Sequence, residues 1–337
     1  MQPERRQTMK TPPLYIAPRW LPSGHLQTIV PAKFGRLQAL RFERERWAAP
    51  DGDFVDLDLM GFGIGGASDA ERDAPLLVLF HGLEGSSASH YAVSTLAFAQ
   101  ARGWQGAVPH FRSCSGSMNL APRFYHSGDS TEIDWILRRL RARHRGKLFV
   151  AGISLGGNAL LRWLGERRED AAAIVDAAAA VSAPVNLAAG GQALSGGFNM
   201  VYTRSFLKTM KHKGLQKLEQ FPGLFDREAM LRARNLHDFD DIVTAPLHGY
   251  RDADDYWHRA SAIHVLGEIT VPTLVLNARN DPFMPAHALP TRAQVSAAVE
   301  LDQPETGGHV GFMTGAFPGR LDWLGNRLLH FFSAFAS

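Results

Sequence analysis

The pattern of apolar and polar positions changes character at "LLVLF", residues 76–80. Before it, "ALRFERERW" and "DFVDLDLM" are two candidate strands, and the Pro50-Asp51-Gly52 turn signal between them predicts a hairpin. From "LLVLF" onward the strand candidates are continuous apolar runs, as expected of strands buried on both faces. They cover 76–80, 104–110, 147–151 and 174–182. Helical stretches lie between them near 91–102 and 129–143, and another begins at Leu155. Strands alternating with helices predict an α/β fold, with a mostly parallel central sheet and helices on both faces.

The alternation stops at Ala183-Pro184. From Asn186 to His264 the chain reads as amphipathic helix, including "FNMVYTRSFLKTMKHKGLQKLEQF". "TLVLNA" (273–278) and "VSAAVEL" (295–301) then resume the strand pattern, and "GRLDWLGNRLLHFFSAF" predicts a last helix. The expected organisation is an N-terminal arm (1–40), a core in two parts (41–185 and 265–337), and a helical lid insertion (186–264) between them.

Composition narrows the class. The 337 residues are 45% hydrophobic, enough to bury one large core. A net charge of +3, with no run of Lys or Arg interleaved with aromatics, argues against a nucleic-acid partner. Cys114 is the only cysteine, which excludes an internal disulfide and a Cys-pair zinc site and points to a reducing compartment. The N-terminus lacks the apolar stretch of a signal peptide. The alanine-rich run 171–185 is short and broken by Asp176, so no integral membrane segment is expected. A cytoplasmic protein is the expectation.

The chemistry concentrates at "LFVAGISLGGNALLRWL", where an apolar run ends at Gly152 and a helix pattern starts at Leu155. A strand turning sharply into a helix strains the turn residue, and glycines two before and two after relieve the crowding. Ser154 would then stand above the sheet edge at a helix N-terminus, placed as a nucleophile. A serine needs a base, and the base needs an orienting carboxylate. On elbows of this kind the carboxylate and then the histidine follow downstream. Asp281 in "LVLNARNDPFMP" and His309 in "PETGGHVGFM" each follow a predicted strand, on the edge that carries Ser154. Gly307, Gly308 and Gly311 around His309 permit close approach. "HGLEG" after the early strand offers the backbone N–H of Leu83, which with that of Leu155 would form an oxyanion hole. One such donor is typically worth about 3 kcal/mol.

Other candidates have plainer readings. His81 suits a structural role in its loop. Cys114 has no glycine elbow. Arg112 and Ser115, in the loop 109–119, are candidates for shaping the pocket or for holding the loop. Asp240, Asp241, Asp254 and Asp255 read as caps and solvated positions in the helical insertion, and Lys208, Lys211, Lys213 and Lys217 as a solvated face. "PSGHLQT" has no chemical reading beyond an arm packing on the body.

The elbow, "HGLEG", "ARNDPF" and "GGHVGF" occur together with "SGHLQT", "HFRSCSG", "RFYHSGD", "FPGLFD", "DFDD", "TAPLHGY" and "ADDYW". This set resembles the YheT-like branch of the α/β-hydrolase superfamily along nearly the whole chain. The resemblance implies an α/β-hydrolase fold and carboxylic-ester hydrolysis by a triad that falls on Ser154, Asp281 and His309. One departure is Ser113, where the family usually carries glycine. The expected function is that of a cofactor-free serine esterase acting on a small-molecule ester with an apolar acyl or alcohol group. The alternatives are a lipase, phospholipase or thioesterase on the same triad, and a ligand-binding protein without turnover.

Overall fold

The computed structural model describes residues 14–35, 39–62 and 73–336. The first 13 residues of the expected arm lie outside them. Eight strands form one sheet: β1 (Glu43–Ala48), β2 (Phe54–Met60), β3 (Leu76–Phe80), β4 (Gln105–Pro109), β5 (Leu148–Ile153), β6 (Ala177–Val181), β7 (Thr273–Leu276) and β8 (Val299–Asp302). Their spatial order is β1-β2-β4-β3-β5-β6-β7-β8. The β1–β2 and β2–β4 pairs are antiparallel and all the others are parallel. The predicted hairpin closes at Gly52, whose φ of 81° is the left-handed conformation that glycine tolerates.

Helices of eight or more residues are numbered in chain order: α1 (Gly24–Phe34), α2 (His90–Gln100), α3 (Ser130–Arg143), α4 (Leu155–Arg167), α5 (Leu187–Leu194), α6 (Met200–Gln220), α7 (Ala253–Ala260) and α8 (Trp323–Ser333). Side chains of a strand alternate between faces, and that alternation divides the core. Leu77, Leu79, Phe149 and Ala151 face α2 and α8. Leu76, Val78, Leu148 and Val150 face α3 and α4. With helices on both sides the central strands have no wet face, which is why they read as unbroken apolar runs.

Between β6 and β7 the described chain is helical, with α5, α6 and α7 and several short turns. The expected solvated lysine face does not exist there, apart from exposed Lys208. Lys217 is fully buried and donates to Asn119 O at 2.7 Å, Ala121 O at 3.0 Å and Gln220 Oε1 at 2.8 Å. Burial lowers its ammonium to about 8. Lys211 donates to Leu231 O and Ala233 O, and Lys213 to Glu84 Oε1 at 2.8 Å. A lysine with a long apolar stem can bury that stem and still satisfy its head on carbonyls. Helical periodicity alone could not separate that case from a solvated one.

The loop after β4 is held by charge. Arg112 is buried and pairs with Glu132 at 2.5 Å, Asp51 at 2.7 Å and Asp53 at 2.8 Å. Ser115 donates to Asp56 Oδ2 at 2.6 Å. Both residues therefore hold the loop, and neither lines the cleft described below. Ser113 sits at φ 64°, a conformation that suits glycine, and its hydroxyl donates to Asn119 Oδ1 at 2.6 Å.

Burial alone would raise the Asp53 carboxyl. Hydrogen bonds from the Asn119 side chain and the backbone N–H groups of Leu120, Ala121 and Phe54 outweigh that and hold it at about 2. The unfolded chain then binds more protons than the folded one between that value and the ordinary carboxylate range. Stability is present at neutral pH and lost as pH falls through this window, by about 2 kcal/mol from Asp53. Equilibrium unfolding measured across acid pH should show this loss, and Asp53→Asn should flatten it. Equal acid slopes in the two proteins would contradict the assignment.

Candidate active site

Four loops at the C-terminal ends of parallel strands bring the site together. The loop after β5 carries Ser154 at φ 52° and ψ −119°, strained for any residue with a side chain. The turn is possible because its neighbours are bare. A Cβ on Gly152 would lie 2.5 Å from Gly156 O, and one on Gly156 would lie 2.5 Å from His81 O. Ser154 N donates to Val181 O at 2.8 Å, which ties the elbow to β6. Leu155 is the first residue of α4, so its N–H has no partner within the helix.

The loop after β7 carries Asp281 and the loop after β8 carries His309. The Ser154 hydroxyl donates to His309 Nε2 at 2.9 Å, and His309 Nδ1–H donates to Asp281 Oδ2 at 2.8 Å. The second carboxylate oxygen accepts Phe283 N–H at 2.7 Å. The Asp281 side chain is fully buried, and the Phe283 ring stacks on the imidazole at 4.0 Å between centroids. The three residues picked from distant segments of sequence thus form one hydrogen-bonded line.

Leu83 follows β3. Its two neighbouring amides are pinned by tyrosines: Gly82 N–H donates to Tyr91 Oη at 2.9 Å and Glu84 N–H to Tyr125 Oη at 2.8 Å. That orients the Leu83 peptide between them. Tyr125 also donates to Glu84 Oε1 at 2.8 Å, the atom that Lys213 of α6 reaches. His81 is structural, as its loop position suggested. Its Nδ1–H donates to Gly82 O at 2.8 Å, Nε2 accepts Phe111 N–H at 3.1 Å, and burial lowers the ring to about 3. Burial pushes the Cys114 thiol up to about 11, which removes thiolate character.

The sequence reading missed the role of "SGHLQT". These residues open α1, whose N-terminal turn backs the histidine loop. His309 N–H donates to Thr28 Oγ1 at 2.8 Å, and Thr28 in turn donates to Gly24 O at 2.7 Å. Gln27 Oε1 accepts both Gly307 N–H at 2.8 Å and Asn280 Nδ2 at 2.9 Å, and Asn280 Oδ1 accepts Gly308 N–H at 3.0 Å. A Cβ on Gly311 would fall 1.7 Å from Gln27 O. The glycines around His309 therefore admit α1 as a backbone neighbour. The polar cluster inside a proline-rich arm was the available signal, but nothing local connects it to a loop 281 residues away.

A cleft of about 840 Å³, counted to its open mouth, leads from Ser154 and His309 into the helical segment. Leu187, Leu194, Phe206, Met210, Trp257 and Met284 are among its walls. Asp240 lines it too, contrary to its reading as a cap or solvated position. It accepts Thr244 Oγ1–H at 2.6 Å and Trp257 Nε1–H at 2.8 Å, and burial raises its carboxyl to about 6. Asp241 and Asp255 do accept backbone N–H groups, from Ala253 and Arg251, and Asp254 pairs with His237. Among the described residues no group of three His, Cys, Asp or Glu side chains could hold a metal ion, and no helix is long and apolar enough to cross a membrane.

Comparison with known proteins agrees with this architecture. A solved Pyrococcus furiosus esterase superposes with a TM-score of 0.54 at 14% identity, over 97% of this chain and 98% of that one, a likeness of fold alone. "Phospholipase ABHD3" of Mus musculus is 26% identical over 92% of this chain and 76% of its own length. The Escherichia coli (strain K12) protein named "Putative esterase YheT" is 40% identical over 93% of this chain and 91% of its own. The family model described as alpha/beta hydrolase fold matches residues 75–316. Sheet order, strand-end loops and sequence likeness over nearly the whole length thus agree, and the chain belongs to the YheT-like α/β hydrolases.

Proposed function

We propose that this hydrolase cleaves carboxylic esters through an acyl-enzyme on Ser154. The observation that carries the reading is the continuous hydrogen-bond line from Ser154 Oγ through His309 to Asp281, at 2.9 and 2.8 Å. As Ser154 Oγ attacks the carbonyl carbon, its proton passes to His309 Nε2. Asp281 holds the imidazole with Nδ1–H toward the carboxylate and stabilises the cation that forms. The carbonyl oxygen, now negative, receives the N–H groups of Leu83 and Leu155, which are oriented before the substrate arrives. Collapse of the intermediate breaks the ester C–O bond, and His309 gives its proton to the departing alkoxide. Water then enters, loses a proton to His309, and releases the acid from Ser154. Water is the only co-reactant, so the scheme needs no cofactor. The helices between β6 and β7 act as a lid whose apolar walls favour an apolar acyl or alcohol group.

The same residues serve a lipid ester equally well. That second reading draws on the apolar walls and on a relative named a phospholipase. Assays with a series of acyl chains and head groups separate the two. A ligand-binding protein without turnover, the third possibility, would leave a fluorophosphonate probe unreacted.

Ser154→Ala should lower turnover of p-nitrophenyl esters by a factor of about 10⁴ or more and abolish fluorophosphonate labelling. Unchanged turnover in the purified variant would refute the assignment. Thr28→Val removes the acceptor of the part-buried His309 N–H, leaving that donor unpaired at a cost of about 1 kcal/mol. If that cost falls on the positioning of His309, kcat drops about tenfold with KM unchanged, and Thr28→Ser restores it. Steady-state kinetics of the two variants would check this, and a Thr28→Val enzyme with wild-type kcat would exclude a positioning role.

A further inference from the structure

Two openings meet at Ser154. One is the cleft of about 840 Å³ beneath α5 and α6. The other is a broader groove of about 1490 Å³, also counted to its mouth, bounded by α1, the loop after β3 and the N-terminal half of α6. Leu83, Ser154, Phe206, Phe283 and His309 line both. An ester at Ser154 has two arms and therefore has to divide between them.

The chemistry decides which arm goes where, given the triad reading on which this inference rests. The departing alkoxide must take its proton from His309 Nε2, so the alcohol arm leaves on the side of the His309 loop. That side is the broad groove. Only the groove is lined by Val310, which follows His309, by Thr28, which holds the His309 N–H, and by His90, whose Nε2–H donates to Val310 O at 3.1 Å. The opposite side belongs to the cleft, which alone is lined by Leu155, Pro184 and Leu187. The two also differ in character. Lys33, Glu84, Ser89 and Ser205 border the groove between apolar residues such as Ile29 and Val201, while leucine, methionine and tryptophan side chains supply much of the cleft wall, with Asp240 as its buried carboxyl.

We propose that the cleft takes the acyl chain and the groove takes the alcohol, so that the preferred substrates are esters of a linear apolar acid with a bulky polar alcohol. Gly190 of α5 sets how far the acyl chain reaches. A Cβ at Gly190 would meet Phe283 O at 3.4 Å, Met284 Cε at 3.6 Å and Pro184 Cβ at 3.6 Å, which is ordinary contact against three cleft-lining residues. A methyl group fits there, and because Gly190 itself lines the cleft, a longer side chain would grow at the expense of that space. The neighbouring Gly191 offers no such freedom, because its Cβ would lie 2.3 Å from Trp257. Alanine also favours a helix over glycine, so a small side chain at 190 does not work against α5.

The test measures kcat/KM of wild type, Gly190→Ala and Gly190→Leu on two ester series. One series varies the acid from acetate to dodecanoate on a fixed alcohol, and the other varies the alcohol from methyl to glyceryl on fixed acetate. Gly190→Leu should lower the dodecanoate-to-acetate ratio by about tenfold or more, the scale set by losing a few methylenes of pocket. The alcohol series should keep its profile. Gly190→Ala should move the ratio in the same direction by less, and carries the test should the leucine variant not fold. Acetate turnover with an unchanged acyl ratio, or a shift in the alcohol series instead, overturns the assignment and leaves the triad standing. A wild type that cleaves no ester and takes no fluorophosphonate overturns the triad reading, and this inference with it.

Discussion

The site depends on one hydrogen bond, from the Ser154 hydroxyl to His309 Nε2, that joins groups on loops from two different strands. Each end is held by backbone. Ser154 keeps its strained φ because Gly152 and Gly156 let α4 press against the ends of β3 and β5 with no side chain between. His309 keeps its place because α1 supplies Gln27 and Thr28 as acceptors for the Gly307 and His309 N–H groups of its loop. Buried backbone donors must be paired, and here the pairing partners also hold the imidazole in place. A shift of an ångström between such loops would leave the fold intact while pulling the hydroxyl out of reach of the base.

The helical segment joins the same construction through charge. Lys213 of α6 donates to Glu84, and Glu84 is fastened to Tyr125 through both its N–H and its carboxylate. One turn further along α6, Lys217 closes on carbonyls of the loop that Arg112 and Asp53 anchor. Glu84, the residue after the oxyanion candidate Leu83, and the roof of the cleft are therefore parts of one polar network. Removing one member of such a network leaves its partner buried without compensation, which costs more than the bond was worth.

What could be read from sequence follows from the range of each signal. Strands β3 to β7 were legible because burial on both faces leaves an apolar run, although β8 begins four residues later than the run around Val295 implied. The elbow was legible because Gly152, Ser154 and Gly156 act on one another within five residues. Asp281 and His309 could be picked because each follows a strand, in the Ser–Asp–His order that α/β hydrolases carry. Contacts that join distant segments left no local trace. Thr28 and Gln27 looked like part of an arm, Lys217 had the spacing of a wet helix face, and Asp240 was one aspartate among several. In each case the deciding partner lies on another element.

The central claim is that Ser154 attacks a carbonyl whose oxygen lodges on the N–H groups of Leu83 and Leu155. A crystal structure of the protein after reaction with an alkyl phosphonate tests it most directly. Phosphorus should be bonded to Ser154 Oγ, with the phosphoryl oxygen about 3 Å from both nitrogens and the alkyl chain in the cleft beside Gly190. A label on any other residue, or a phosphoryl oxygen directed away from Leu83 and Leu155, would contradict it.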